Sequence, residues 1–309
     1  MSIARTLLLK ASDSTWLRQH GTKAPFVRRA VRRFMPGEHF SDMLGATREM
    51  ASEGVKGVFT RLGENVKDLA EADEVAHHYL EGLDAIHQAG LDCEPSIKLT
   101  QLGLDINREL AFGHLRALAA RAKDRGTYLW IDMEQSPYVD VTLDLTRRLG
   151  EEFPRIGVCL QAYLYRTRED LVDLMGRGIG IRLVKGAYRE PAAVAFPKKS
   201  DVDANFLALA QLMLDPASRT AGARAVFGTH DVPLIDAIRR HADAAHVKGA
   251  EYEFHMLYGI QRAAQLRLAA DGALVRVLIA YGPYWFPWYM RRLAERPANV
   301  WFVVKSLWS

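Results

Sequence analysis

The sequence predicts an α/β fold: a variant (β/α)8 barrel of the TIM type over residues 41–309, preceded by a basic helical segment, residues 1–40. Three observations predict it. Helix-like and strand-like stretches alternate from about residue 41 onward, which implies parallel strands covered by helices. Eight such units in roughly 250 residues match a closed barrel. Polar or ionisable residues follow nearly every apolar strand run, where a parallel barrel gathers its site. An open dinucleotide-binding sheet would want Gly-x-Gly-x-x-Gly after its first strand, and Arg61-Leu62-Gly63-Glu64-Asn65 lacks it.

Each element rests on a period and a stop. Helical periodicity covers 41–53, and a strand over 55–62 closes at Gly63. A long amphipathic helix over 68–89 ends at Gly90, before a strand over 94–99. The helix over 108–124 stops at Gly126, and 128–133 is a strand. A helix over 139–149 and a strand over 157–163 follow, then a helix over 167–175 and a strand over 180–187. Helices over 202–214, 232–242 and 261–270 alternate with strands over 225–228, 252–256 and 275–280. The last helix is 285–295.

Hydrophobic content of 49% with 25% charged residues excludes a disordered chain. No apolar run reaches the roughly 18–20 residues of a membrane span. Cys93 and Cys159 both sit in apolar runs. They read as buried thiols of a reducing compartment, which points to the cytoplasm. The first 37 residues carry many lysines and arginines against the single acid Asp13. Phe26, Val27, Ala30, Val31 and Phe34 recur there at helical spacing. The first reading is a helix packed on the domain with a solvated basic face; the alternative is peripheral contact with the inner face of the plasma membrane. Nucleic acid is not an expected partner.

In a parallel barrel the C-terminal strand ends share one mouth. They offer Glu64; Lys98; Asp132-Met133-Glu134; Gln161-Ala162-Tyr163; Arg182, Lys185 and Tyr188; Thr229-His230-Asp231; Phe254 to Gly259; and Tyr281-Gly282. Tyr289, Arg291, Arg292 and Glu295 lie on the last helix. One polar residue after a strand is usually a cap. A set of mixed sign at nearly every strand end suits a zwitterion, or an anionic cofactor beside a charged substrate. The histidines and cysteines lack metal spacing, and no Gly-x-Ser-x-Gly elbow or Walker loop occurs. The aromatic run Tyr284 to Tyr289 is either lid packing or the apolar wall of a site.

Six segments together carry a resemblance: Lys98-Leu99-Thr100-Gln101-Leu102-Gly103, Asp132-Met133-Glu134, Gln161-Ala162-Tyr163, Arg182-Leu183-Val184-Lys185-Gly186-Ala187-Tyr188, Thr229-His230, and Tyr289-Met290-Arg291-Arg292-Leu293-Ala294-Glu295. In order and spacing, from about Glu64 to the C-terminus, they resemble proline dehydrogenase of the monofunctional bacterial type. The resemblance implies a barrel whose last helix lies over the mouth, and non-covalent FAD. It implies oxidation of L-proline to Δ1-pyrroline-5-carboxylate, with electrons passed to a membrane quinone. By matching motif, Met133, Gln161, Val184, Lys185, Gly186, Ala187, Thr229 and His230 would contact FAD, with Arg182 beside its reactive nitrogen. Lys98, Arg291 and Arg292 would bind the carboxylate of proline, and Leu257, Leu278 and Tyr281 would line its ring. Asp132 would stand beside Lys98 as a catalytic residue with Arg182, and Glu64 would pair with Arg291 as a gate.

Two positions depart from the family pattern. Leu278 stands where a tyrosine usually packs on the proline ring, and Arg189 where an aromatic residue often follows Tyr188. A roomier wall at Leu278 makes 4-hydroxyproline or another cyclic imino acid the alternative substrate. Two rivals come from other classes. One is a Schiff-base aldolase using Lys185 as the amine. The other is a non-catalytic barrel that binds a membrane surface or partner through its basic helix.

Overall fold

Local signals set the helices of the computed structural model, which describes residues 31–286, 288 and 289. The helices are α1 (Phe40–Ser52), α2 (Leu69–Gln88), α3 (Arg108–Asp124), α4 (Val139–Gly150), α5 (Thr167–Gly176), α6 (Lys199–Leu214), α7 (Val232–Ala244) and α8 (Arg262–Ala270). Asp68 caps α2 by accepting from the Ala70 amide, and Asn107 caps α3 by accepting from Glu109 and Leu110. The strands are β1 (Lys56–Arg61), β2 (Cys93–Ile97), β3 (Leu129–Ile131), β4 (Ile156–Gln161), β5 (Gly180–Val184), β6 (Ala225–Gly228), β7 (Tyr252–Leu257) and β8 (Leu274–Tyr281). Each lies within a few residues of its expected place. The single turns Leu99–Leu102, Ser136–Tyr138 and Gly249–Glu251, and the short helix Pro216–Arg219, are too brief for a period to reveal.

All neighbouring strands pair in parallel, in sequence order, and β1 closes on β8 from Lys56↔Arg276 to Arg61↔Tyr281. Successive side chains alternate between two environments. Phe59, Ile97, Leu160, Leu183, Phe254 and Val277 face outward into one apolar core beneath the helices. The inward face is charged instead of the branched aliphatic filling common in such barrels.

Toward the N-terminal ends of the strands, Arg224 donates to both oxygens of Glu253 (2.6 and 2.7 Å) and to Glu94 (2.8 Å). Arg276 lies 3.1 Å from each of Glu253 and Glu94 and donates to Asp92 at 2.6 Å. Two acids thus face two guanidiniums in a buried lattice, where losing one partner would strand a charge. The Trp130 indole stands on this lattice and donates to Glu94 (2.7 Å). It has room because β4 presents Gly157 there: a Cβ at 157 would run into the indole ring. The Arg182 and Arg224 guanidinium carbons lie 5.1 and 5.3 Å from the indole ring.

Val31, Phe34 and Met35, the described end of the basic segment, pack with Leu62, Ala280, Trp285, Phe286 and Tyr289. Trp285 also donates to Glu38 (2.9 Å). This part of the aromatic run packs against the segment that precedes the barrel. Residues 1–30 and most of the expected last helix lie outside the described residues. No described helix is long and apolar enough to cross a membrane.

His255 sits edge-on to Trp130, with ring centroids 5.5 Å apart. Burial pushes its pKa down to about 3, against the opposing pull of Glu253. A histidine depressed in the fold contributes stability above its unfolded pKa, near 6.5, and loses it as pH falls. Resistance to urea should therefore decline from pH 6.5 toward 4.5, by up to about 1.4 kcal/mol per pH unit from this group. His78, also lowered by burial, shares that window. The difference between wild type and His255→Gln in pH-dependent urea titrations isolates the His255 share: the variant should show the shallower decline.

Candidate active site

The inward residues at the C-terminal ends of β2 to β5 build the site. Lys98 follows β2, Asp132 follows β3, Gln161 ends β4, and Arg182 lies two residues before the end of β5. Asp132 is the hub. Its Oδ1 accepts from Arg182 Nη2 (2.5 Å) and Ser96 Oγ (2.7 Å), with the Cys159 thiol 3.7 Å away. Its Oδ2 lies 3.5 Å from Lys98 Nζ. Burial alone would raise the Asp132 pKa, but the charges of Lys98 and Arg182 and the Ser96 bond outweigh it and hold it low. Burial likewise opposes the charge on Lys98, yet Asp132 and Glu64 raise its pKa above the usual value. Both groups are therefore ionised at neutral pH.

Glu134 points to a structural task. It accepts from the Thr100 amide (3.1 Å) and hydroxyl (2.6 Å), joining the turns after β2 and β3. Gln161 donates to the Glu134 carbonyl (3.0 Å) and more weakly to that of Met133 (3.4 Å). The buried polar atoms without a hydrogen-bond partner among the described residues include Arg182 Nη1, Gln161 Oε1 and Tyr163 Oη. Beside Arg182, β6 ends at Gly228, where a Cβ would stand 2.7 Å from Val184 Cγ1. Orphaned donors and acceptors next to a position without a side chain fit a polar, flat group such as a flavin ring.

The flank between β5 and β6 holds Lys185, Gly186, Ala187, Thr229 and His230. Lys185 pairs with Asp203 (2.5 Å) and Asp231 (2.7 Å). That is an ion-pair cluster, not the apolar setting a Schiff-base lysine uses. Gly186 has φ +111° and lies against the Tyr163 ring, so the close turn requires glycine. Thr229 Oγ1 accepts from the Asp231 amide (3.2 Å), and His230 Nε2 accepts from the Leu257 amide (2.7 Å).

On the opposite side, Leu257 and Leu278 are register partners on the inward faces of β7 and β8. Tyr281 does not join them, which corrects the expectation that it lines the substrate. Its parity turns it outward, where its hydroxyl meets His78 Nε2 (2.8 Å) and its ring packs on Phe40. Arg291, Arg292 and Glu295 lie outside the described residues.

Sequence reasoning missed Ser96, Trp130 and Cys159, which surround Arg182 one layer below the strand ends. Each lies two residues before a residue it did select, namely Lys98, Asp132 and Gln161. It also missed Glu190, which accepts from the Ser136 amide (2.8 Å) and ties the loop after β5 to the turn after β3.

The chain matches the model of the family described as proline dehydrogenase over residues 43–305. It is 39% identical over 285 residues to "Proline dehydrogenase 1" of Bacillus subtilis subsp. natto, covering 92% of this chain and 93% of that protein. It is 39% identical over 280 residues to "Proline dehydrogenase" of Deinococcus radiodurans, covering 89% of each. Among solved structures, proline utilization A from Bdellovibrio bacteriovorus inactivated by N-propargylglycine superposes with a TM-score of 0.80 at 21% identity. That likeness covers 94% of this chain and 36% of the other, and it is one of fold.

Asp132→Asn would leave the buried Arg182 and Lys98 without their shared anion. The variant should unfold in urea with a loss of about 3 kcal/mol; a loss below about 1 kcal/mol would mean that the two cations find another counter-charge.

Proposed function

The chain belongs to the proline dehydrogenase family, and on that premise we propose that it oxidises L-proline to Δ1-pyrroline-5-carboxylate. The observation that carries this reading is the Lys98–Asp132–Arg182 cluster at the mouth, with one guanidinium nitrogen buried and unpartnered. We further propose non-covalent FAD as the hydride acceptor and a membrane quinone as the onward electron acceptor. Supporting the cofactor are the orphaned atoms of Arg182, Gln161 and Tyr163 and the bare edge at Gly228. FAD supplies the electron acceptor, which no side chain can be.

The protein's own residues bind, orient and balance charge. Oxidation removes a hydride from the ring carbon beside nitrogen and a proton from nitrogen, leaving a C=N bond. Lys98, with Arg291 and Arg292 by family motif, binds the substrate carboxylate and fixes which carbon is presented. Asp132 holds Lys98 and Arg182 in place, and Glu64 adds negative charge near Lys98. Proline must lose its amine proton before the nitrogen lone pair can assist hydride departure; the ionised Asp132 organises the polar groups around that step. Arg182, whose Nη1 is buried without a partner, would stabilise negative charge on a bound flavin. In this reading Met133, Val184, Lys185, Gly186, Ala187, Thr229 and His230 line the cofactor. Lys185 would then meet the phosphates with its charge shared by Asp203 and Asp231.

Leu278 beside Leu257 gives the substrate an apolar wall. A ring hydroxyl placed there would lose its hydrogen bonds to water and find none in return. The wall therefore favours proline over 4-hydroxyproline, although Leu278 leaves more room than a tyrosine would.

Purified protein should be yellow, and L-proline should bleach it and reduce an artificial electron-accepting dye. A colourless protein that is inert toward proline would remove this function. The ratio of kcat/KM for L-proline to that for trans-4-hydroxyproline should be at least about tenfold, the scale set by one lost hydrogen bond. Near-equal values would assign the wider imino-acid specificity. Arg292→Met should raise KM for proline far more than it lowers flavin content; equal loss of both would contradict the carboxylate role.

A further inference from the structure

We propose that Cys159 and Ser96 are positioning residues that lock the Arg182 guanidinium in one orientation at the barrel mouth. Arg182 Nε donates to Cys159 Sγ at 2.8 Å. Its Nη2 donates to Ser96 Oγ at 2.6 Å and to Asp132 Oδ1. Nη1 is left buried and without a partner. Ser96 and Cys159 each also point a hydrogen toward Asp132 Oδ1, at 2.7 and 3.7 Å. Both small side chains therefore bridge the same two charges.

The physical need for a second contact is simple. A guanidinium held at one nitrogen by one carboxylate oxygen can swing about that point. A planar fork held at Nε as well cannot. The acceptor at Nε is neutral, because burial pushes the Cys159 thiol up to about 11. The group is located without adding a second anion, so Arg182 keeps its charge for whatever Nη1 faces. A carboxylate at position 159 would lock the fork equally well and cancel that charge. Ser96 is the register partner of Trp130 on β3, and Cys159, one inward place beyond the Gly157 that faces Trp130, is the register partner of Arg182 itself.

The lock is a property of the protein alone; its effect on catalysis rests on the flavin reading of the mouth. The tests separate the two. The infrared S–H stretch of Cys159 is obtained from wild type minus Cys159→Ser, since Cys93, the other cysteine of the chain, cancels in the difference. Asp132→Asn should move that band to higher frequency, because a thiol donating to a carboxylate is weakened more than one donating to an amide. An unmoved band overturns the proposal. In the flavin-loaded enzyme, Cys159→Val should lower kcat about tenfold, leave KM for proline within about twofold, and make the flavin midpoint potential more negative. Cys159→Ser, which keeps an acceptor at Nε, should restore most of both. A Cys159→Val protein with wild-type kcat and potential, altered only in melting temperature, would reduce Cys159 to packing and overturn the proposal. Wild-type protein that neither binds flavin nor oxidises proline would sink the proposed function, and the infrared arm would still decide the lock.

Discussion

The upper half of the barrel depends on one carboxylate staying ionised. Asp132 lies between Lys98 and Arg182, at a depth where an unpaired charge would be costly. Protonated, it would release both cations into mutual repulsion. Ionised, it holds each by a different oxygen, Arg182 at Oδ1 and Lys98 at Oδ2, and so fixes their separation. Ser96 and Cys159 then remove the freedom the ion pair leaves. The site is rigid because one oxygen of one residue gathers several donors, while the other oxygen is left for Lys98.

The lower half solves a different problem with the same chemistry. Glu94 and Glu253 balance Arg224 and Arg276, and Asp92, which also holds Arg276, is met by Lys56, so the floor carries no net charge. Lys98 and Arg182 outnumber Asp132 above it. Glu64, on the loop after β1, is the further acid acting on Lys98 and makes up the difference. His255 separates the two levels as a neutral ring, which keeps the count from shifting at ordinary pH.

The strand–helix order could be read in the sequence because Gly stops and helical periods were strong, as at Gly90 and Gly126. The strand-end residues could be read because they interrupt apolar runs. Two things could not. The first was the layer beneath: Ser96, Trp130 and Cys159 look like ordinary strand interior, and only the two-residue period linking each to Lys98, Asp132 or Gln161 places it on the same inward column. The same period, applied to Tyr281, would have turned it away from Leu278 in advance. The second was the ionic floor. Glu94, Glu253 and Arg276 lie inside strands whose other residues are mostly apolar, and their pairing spans most of the chain. Only barrel closure brings them together.

Trp130 carries a consequence of another kind. Two guanidiniums lie within about 5.3 Å of its ring centre, and its N–H is engaged by Glu94. Cations near an indole face draw on its electron density and make an electron harder to remove from it. A tryptophan on the axis of a redox enzyme would ordinarily be a stepping stone for charge. Here the two guanidiniums oppose that role, while the Glu94 carboxylate at the N–H favours it, so the ring's redox character is set by the balance of the ionic floor around it.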